Sequence, residues 1–330
     1  DVIEGKGLVD GASLVIWTTT PWTIPGNLAI CAGPDIDYSL VSFDGSNYIC
    51  ATELIPSLKE IFKANEANVL KNFKGRDLLG VTYRHPIAGR IQPVINGDFV
   101  TTTDGTGLVH IAPAFGEDDF NVGKEYNIGM LNYIDDKGYM TKDAGEFEGL
   151  FYEDGNKAVI TKLNELKVLL AVKEVVHSYP HDWRTKKPVI FRATAQWFAS
   201  IDKLKETLLE EIKNVEWFPS WGEVRISNMI RDRKDWCISR QRAWGVPIPI
   251  FYAEDGTEIV DQEVMAHVAD LFEQHGSQIW FASEAKDLLP EGYTNPHSPN
   301  GIFRKETDIM DVWFDSGSSH QAVLKHYNLP

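Results

Sequence analysis

The chain has 330 residues, 43% of them hydrophobic, and a net charge of −16. It is long enough to bury a core and to hold two domains. It is too acidic to coat nucleic acid through bulk charge, which leaves RNA contact to a local basic patch. The three cysteines, Cys31, Cys50 and Cys237, form no CxxC pair, and no apolar run reaches the length of a membrane span or of a signal-peptide h-region. Those features predict a reducing cytoplasm and no membrane.

In chain order, Leu14-Val15-Ile16-Trp17 reads as a buried strand. It runs into Thr18-Thr19-Thr20-Pro21-Trp22-Thr23-Ile24-Pro25-Gly26-Asn27, where two prolines and a glycine predict a rigid loop without regular structure. The threonine hydroxyls of that loop form a candidate binding edge, although threonine is also common in strands because it is β-branched. Short strands follow at 28–31, 38–41 and 48–50, with Asp44-Gly45 as a hairpin turn. A helix is expected over 57–67, with Leu58, Ile61 and Phe62 as its apolar stripe, and more strands at 81–83, 91–94 and 99–101. In GTGLVHIAPAFGEDDF (105–120), Leu108, Val109 and Ile111 suit a strand that His110 interrupts, and Pro113 and Gly116 then break the chain. Asp118 or Asp119 is expected to cap a helix beginning near Phe120. One loop therefore carries an imidazole and a cluster of acids at the mouth of a strand. A lone histidine in such a run is more often a satisfied core residue. With helices at 121–126 and 155–168, residues 1 to about 178 read as a β-rich α+β domain, a partly closed barrel with peripheral helices.

Beyond that point aromatic and basic residues increase. His177 and His181 sit four apart, but Pro180 lies between them and prevents a shared metal-binding helical face. A helix at 203–212 and an aromatic turn at 217–221 precede the densest basic segment. It holds Arg225, Arg231, Arg233, Lys234, Arg240 and Arg242, either a solvated helix face with ion pairs or a contact for phosphates. A strand at 236–239, an extended exit at 244–250, a helix at 262–274 and loop-like sequence at 288–304 follow. Asp311 to His320 reads as an apolar strand ending in a polar loop. Strand, loop and helix alternate as in an open α/β sheet. No GxSxG, GxxxxGK[ST] or HExxH motif is present.

Four blocks then stand out: WTTTPWTIPGN (17–27), GTGLVHIAPAFGEDD (105–119), DWCISRQRAWGVPIP (235–249) and DVWFDSGSSH (311–320). With SYPHDWR and FRATAQWF between them, they resemble the class I aminoacyl-tRNA synthetases of the isoleucine, valine and leucine group, in order and over essentially the whole chain. The last block resembles the isoleucyl branch. The HIGH and KMSKS loops of that family do not occur and would be expected before residue 1 and after residue 330.

The resemblance therefore implies an inserted editing domain over 1–178 and the middle of a Rossmann-type synthetic core over 179–330, unable to form aminoacyl-adenylate. It implies hydrolysis of valyl-tRNA(Ile), and a full-length enzyme that joins isoleucine to its tRNA with ATP and Mg. It implies no cofactor in this chain, a monomer, and a tRNA acceptor end carrying valine or isoleucine as partner. By the same resemblance, His110 discriminates by size, Asp119 holds the α-ammonium, and Thr18, Thr19 and Thr20 position the terminal adenosine and a water. Asn27 and Trp22 line the same pocket. Trp244 and Trp313 wall the isoleucine site, with Gln241, Asp308 and Asp311 near the adenylate. Phe115 departs from relatives with a second histidine, and Asp182-Trp183-Arg184-Thr185 from relatives with a Cys-Trp-Arg-Cys zinc pair, so no metal is expected. A valyl-specific enzyme that removes threonine, and a binding module without turnover, are the alternatives.

Overall fold

The computed structural model describes residues 1–176 and 178–327; His177, half of the pair considered above, lies outside them. The chain divides into two compact units, Asp1–Thr194 and Ala195–Pro330. The change in composition that sets the expected boundary comes earlier, near 178. The strip up to the division is tied to the first unit by main-chain partners. Ala193 N–H donates to the Ala114 carbonyl at 2.6 Å, Asn132 Nδ2 to the Ala193 carbonyl at 2.8 Å, and Arg192 Nη1 to the Ile134 carbonyl at 2.9 Å.

The strands of the first unit are β1 (Val2–Glu4), β2 (Ser13–Leu14), β3 (Ala29–Ala32), β4 (Asp37–Phe43), β5 (Ser46–Ala51), β6 (Ala67–Lys74), β7 (Thr82–Arg84), β8 (Ile91–Asn96) and β9 (Leu108–Ile111). They make two mixed sheets, ordered β1-β7-β8-β3-β9 and β2-β5-β4-β6. The pairs β3–β8 and β2–β5 are parallel and the others antiparallel. Among the described residues the sheets do not close into the expected barrel. Their edges are linked locally, among other contacts by a parallel bridge between Trp17 and Val109 and by Ala51 N–H donating to the Thr106 carbonyl at 2.8 Å. The β4–β5 hairpin turns on Asp44 and Gly45, both left-handed at φ 47° and 89°, as an Asp-Gly type I′ turn requires. Helices α1 (Ile55–Phe62), α2 (Glu117–Glu125) and α3 (Tyr152–Glu165) complete the unit.

Several expectations are corrected. Residues 21–26 form a 3-10 helix rather than an irregular loop, because Pro21 sits in its first turn, where a missing N–H is not needed. Helix α1 stops at Phe62, short of the expected end at 67, because Lys63 turns left-handed at φ 54°; β6 then begins at Ala67. The side chains of β6 are mostly exposed, so no apolar alternation announces it. Residues 99–101 are turn and coil, not strand.

In the second unit the strands are β10 (Phe198–Ala199), β11 (Trp236–Cys237), β12 (Ser239–Arg240), β13 (Phe251–Tyr252), β14 (Glu258–Ile259), β15 (Arg304–Lys305) and β16 (Ile309–Met310). They pair as β10-β11, β12-β16 and β14-β13-β15, all antiparallel, so the described residues show small ladders rather than an open parallel sheet. The helices are α4 (Asp202–Ile212), α5 (Trp221–Arg231), α6 (Gln262–His275), α7 (Ile279–Ala282) and α8 (Val312–Ser319). A core of Phe251, Val264, Val268, Trp280 and Leu288 lies under α6. The stretch expected as a strand at 311–320 is instead α8. Asp311 caps it, accepting from Trp313 N–H at 2.9 Å, and this short polar side chain before an apolar run satisfies one of the orphan donors of the first turn.

Gly107 fixes the approach to β9. Its φ is +76°, and a Cβ there would lie 2.4 Å from the Ala51 Cβ. Gly107→Ala is expected to cost about 2 kcal/mol or more from overpacking and left-handed strain. A urea midpoint equal to that of the parent protein would contradict this packing.

Candidate functional site

The 3-10 turn at 21–26 and strand β9 bring the threonine loop against His110, which is 8% exposed. The orientation of the groups follows from one main-chain atom. Asn27 places its Nδ2 2.7 Å from the Ala29 carbonyl, which can only accept, so that side-chain atom is the amide nitrogen. The same NH₂ lies 2.9 Å from His110 Nδ1 and donates to it. A neutral imidazole then carries its proton on Nε2, and Nε2–H donates to Thr23 Oγ1 at 3.0 Å. The Thr23 hydroxyl in turn donates to the Thr20 carbonyl at 2.8 Å. On the far side, the Tyr83 hydroxyl donates to Asn27 Oδ1.

Hydroxyls extend the chain outward. Thr20 Oγ1 is 3.5 Å from Thr23 Oγ1 and 3.3 Å from Thr18 Oγ1, which also accepts from Thr20 N–H at 3.1 Å. Thr18 and Thr20 are half-buried, whereas Thr19 is exposed. Arg90 Nη2 anchors the end of the turn by donating to the Pro25 carbonyl at 2.7 Å.

Trp22 points into the core at 3% exposure. Its ring meets Phe115 edge-on at 4.9 Å, Phe115 meets Tyr133 at 5.0 Å, and the Tyr133 hydroxyl donates to the Trp22 carbonyl at 2.7 Å. Phe115 thus fills an apolar slot behind the loop. Gly26 is confined there too, since a Cβ would lie 2.7 Å from the Tyr133 ring.

Asp119 does not cap α2. Gly116, extended, takes the position before the helix, and Glu117, Asp118 and Asp119 all fall in its first turn, where the helix dipole favours negative charge. Asp119 Oδ2 folds back to accept from Ala112 N–H at 2.7 Å. Burial pushes its carboxyl up to about 6 against that hydrogen bond, and neighbouring Asp118 pushes the same way.

Sequence reasoning gave no role to Tyr83 or His85, and counted Thr23 only as one hydroxyl among four. His85 is buried near the relay; its Nε2 is 2.9 Å from the Ile24 carbonyl and its Nδ1 accepts from Ile87 and Ala88 N–H at 3.1 and 3.0 Å. The His-Pro turn at 85–86 was the available signal for it.

The residues singled out in the second unit fall into two groups. Gln241 Nε2 donates to Asp308 Oδ2 at 2.7 Å and to Gln196 Oε1 at 3.1 Å. Asp311 accepts from Trp236 Nε1 at 3.1 Å and pairs with Arg240, and the Trp313 N–H, with these partners, holds its carboxyl below the usual range. Trp244 and Trp313 stand 91% and 72% exposed, so neither is packed as a pocket wall within this unit. Within the basic segment, Arg225, Arg231, Arg233 and Lys234 are exposed, while Arg240 is taken up by Asp311. Among the described residues no three His, Cys, Asp or Glu side chains gather as a metal set, and no helix is long and apolar enough to cross a membrane.

The family described as tRNA synthetases class I (I, L, M and V) matches residues 6–329. The chain is 58% identical over 324 residues to the isoleucine–tRNA ligase of Geobacillus kaustophilus and 57% identical to that of Geobacillus thermodenitrificans, in each case over 98% of this chain and 35% of the relative. The isoleucine–tRNA ligase of Bacillus cereus is 56% identical over 325 residues. The chain thus spans about a third of the length of these curated relatives. Among solved structures, the crystal structure of GlLeuRS-CP1 aligns with 53% of this chain and 88% of its own, at 18% identity and a TM-score of 0.42.

Burial pushes the imidazoles of His110 and His85 down to about 3 and about 4 from an ordinary 6.5. Between those values the unfolded chain binds more protons, so this contribution to stability is complete above pH 6.5 and is lost as pH falls towards 3. Asp119, raised from 3.8, acts in the opposite sense, contributing below 3.8 and losing that contribution as pH rises through about 6. Ring-proton NMR of the folded protein should show His85 and His110 flat from pH 8 to 5. An inflection near 6.5 at either residue would contradict their burial.

Proposed function

The chain belongs to the class I tRNA synthetases of the isoleucine, leucine, methionine and valine group, and from that premise we propose that residues 1–178 hydrolyse valyl-tRNA(Ile). One missing methylene is worth only about 1–3 kcal/mol to a synthetic pocket, the general energetic difficulty of isoleucine–valine selection rather than a result of this structure. A second site that accepts valine and refuses isoleucine meets that difficulty. The observation that carries the reading is His110. Both of its ring nitrogens are consumed by Asn27 and Thr23, so the ring has only carbon edges and faces to offer a ligand, as a steric wall for an aliphatic side chain should.

Asp119 is the carboxylate for the α-ammonium. Thr18, Thr19 and Thr20 contribute the hydroxyls that position the terminal adenosine and the attacking water, with Asn27 and Trp22 holding the loop around them. The aminoacyl ester is already activated. Orienting a water against it supplies much of the rate without a covalent nucleophile on the protein. Residues 179–330 are proposed as part of the synthetic core, with Trp244, Trp313, Gln241, Asp308 and Asp311 facing isoleucine and its adenylate in the complete cytoplasmic monomer. ATP and Mg would serve the aminoacylation step of the complete enzyme; among the described residues no three His, Cys, Asp or Glu side chains gather as a metal set.

Purified chain is expected to deacylate valyl-tRNA(Ile) and spare isoleucyl-tRNA(Ile), with threonyl-tRNA as the control for the valyl-specific alternative. His110→Ala is expected to open the site to isoleucyl-tRNA. Equal rates on the two esters in the parent protein, or unchanged selectivity in the variant, would overturn the assignment.

With its carboxyl pushed up to about 6, Asp119 is half-protonated near pH 6 when no ammonium faces it, and only the ionised form pairs strongly with a cation. Affinity for a non-hydrolysable valyl-adenosine analogue should therefore rise as pH increases through about 6, and Asp119→Ala should flatten that rise and raise KM. A pH-independent affinity in the parent protein would remove Asp119 from the ammonium site.

A further inference from the structure

We infer that Asn27, held from two sides by Tyr83 and the Ala29 carbonyl, is a positioning residue that fixes the tautomer of His110, and that this locked tautomer is a source of the site's selectivity. The inference rests on the proposed editing function for its selectivity half only; the tautomer half stands on geometry.

The argument is one of hydrogen-bond direction. The Ala29 carbonyl at 2.7 Å admits only a donor, which sets the Asn27 amide nitrogen on that side. The Tyr83 hydroxyl, which can donate or accept, follows that orientation and donates to Oδ1 from the other end. The second amide hydrogen then points at His110 Nδ1, 2.9 Å away, and Nδ1 must keep its lone pair. With Nδ1 accepting, Nε2 donates to Thr23, and the Thr23 hydroxyl is turned onto the Thr20 carbonyl. Reversing any one link reverses those beyond it. A proton on Nδ1 would face the amide N–H, and Nε2 would become an acceptor that draws the Thr23 hydroxyl off Thr20. Tyr83 is 4% exposed, Asn27 5% and Thr23 5%, so water is largely shut out and cannot repair a broken link.

The consequence is chemical. In the locked arrangement both His110 nitrogens stay satisfied and the ring is a neutral, fixed, apolar wall. In a reversed one the ring gains freedom and an unsatisfied polar edge. A wall that can turn admits the larger side chain.

This role differs measurably from direct substrate binding by Asn27. In Asn27→Asp the ionised carboxylate facing Nδ1 can only accept, so the long-range ¹H–¹⁵N spectrum of histidine-labelled protein, taken at a pH where that carboxylate is ionised, should move from the Nε2–H pattern to the Nδ1–H or doubly protonated pattern. The preference for valyl- over isoleucyl-tRNA should fall about tenfold together with that spectral change. Tyr83→Phe, a change at a buried residue that removes one of the two anchors, should lower the preference about threefold in the same direction. The spectrum of the parent protein alone tests the first half and needs neither variant to fold. An Nδ1–H tautomer there overturns the inference outright. An unchanged tautomer in Asn27→Asp, or an unchanged preference with a raised KM, overturns the positioning role in favour of substrate contact. If the parent protein deacylates neither ester, the editing reading and the selectivity half fail together, and the spectrum still decides the tautomer half.

Discussion

A main-chain carbonyl has no proton to give, and much of the first unit's polar interior follows from that fact at Ala29. The carbonyl orients the Asn27 amide, the amide orients His110, and His110 orients Thr23 and, through it, the carbonyl of Thr20. The parts come from different elements: Tyr83 from β7, Asn27 from the end of the 3-10 turn, His110 from β9. Sheet order β7-β8-β3-β9 carries the two side chains into one layer. Buried polar groups of this kind are expensive when unmatched and rigid when matched. The network is matched at every ring and amide atom named here.

The apolar side of the loop has a complementary role. Trp22, Phe115 and Tyr133 form an edge-to-face stack behind the turn, and the Tyr133 hydroxyl ends on the Trp22 carbonyl. The family resemblance implies a second histidine at the position that Phe115 holds. In this packing an imidazole there would lose the aromatic contacts and would need polar partners that the slot, lined by rings and aliphatic carbon, does not supply. The chain therefore keeps His110 as the polar ring of the loop and lets Phe115 brace it. Asp119, across the Pro113–Gly116 break, is set by the Ala112 N–H and by α2, an arrangement independent of the threonine chain.

The second unit is organised by capping and ion pairing. Asp311 ends β16's exit, caps α8 and pairs with Arg240, so one carboxylate joins a strand pair to a helix. Exposed Trp244 and Trp313 contrast with the enclosed Trp280 and Phe251 of the same unit.

Much of this was legible in the amino-acid sequence because it is local. The strand at 108–111, the Asp-Gly hairpin at 44–45, the helices at 202–212 and 262–275, the crowding of threonines before Asn27 and the block order that marks the family all depend on residue type and spacing. What was misread also has local causes. Proline at the start of a 3-10 turn resembles a breaker, exposed β6 lacks alternation, and the apolar run after Asp311 fits a strand as well as a capped helix. The direction of the hydrogen bonds around His110 is of another kind. It depends on residues 27, 29, 83 and 110 meeting across the sheet, and a donor or acceptor role is a property of the partner as much as of the side chain. Sequence thus determined which groups were present, and only the tertiary structure decided that the imidazole is neutral, which nitrogen holds its proton, and that Tyr83 belongs to the site.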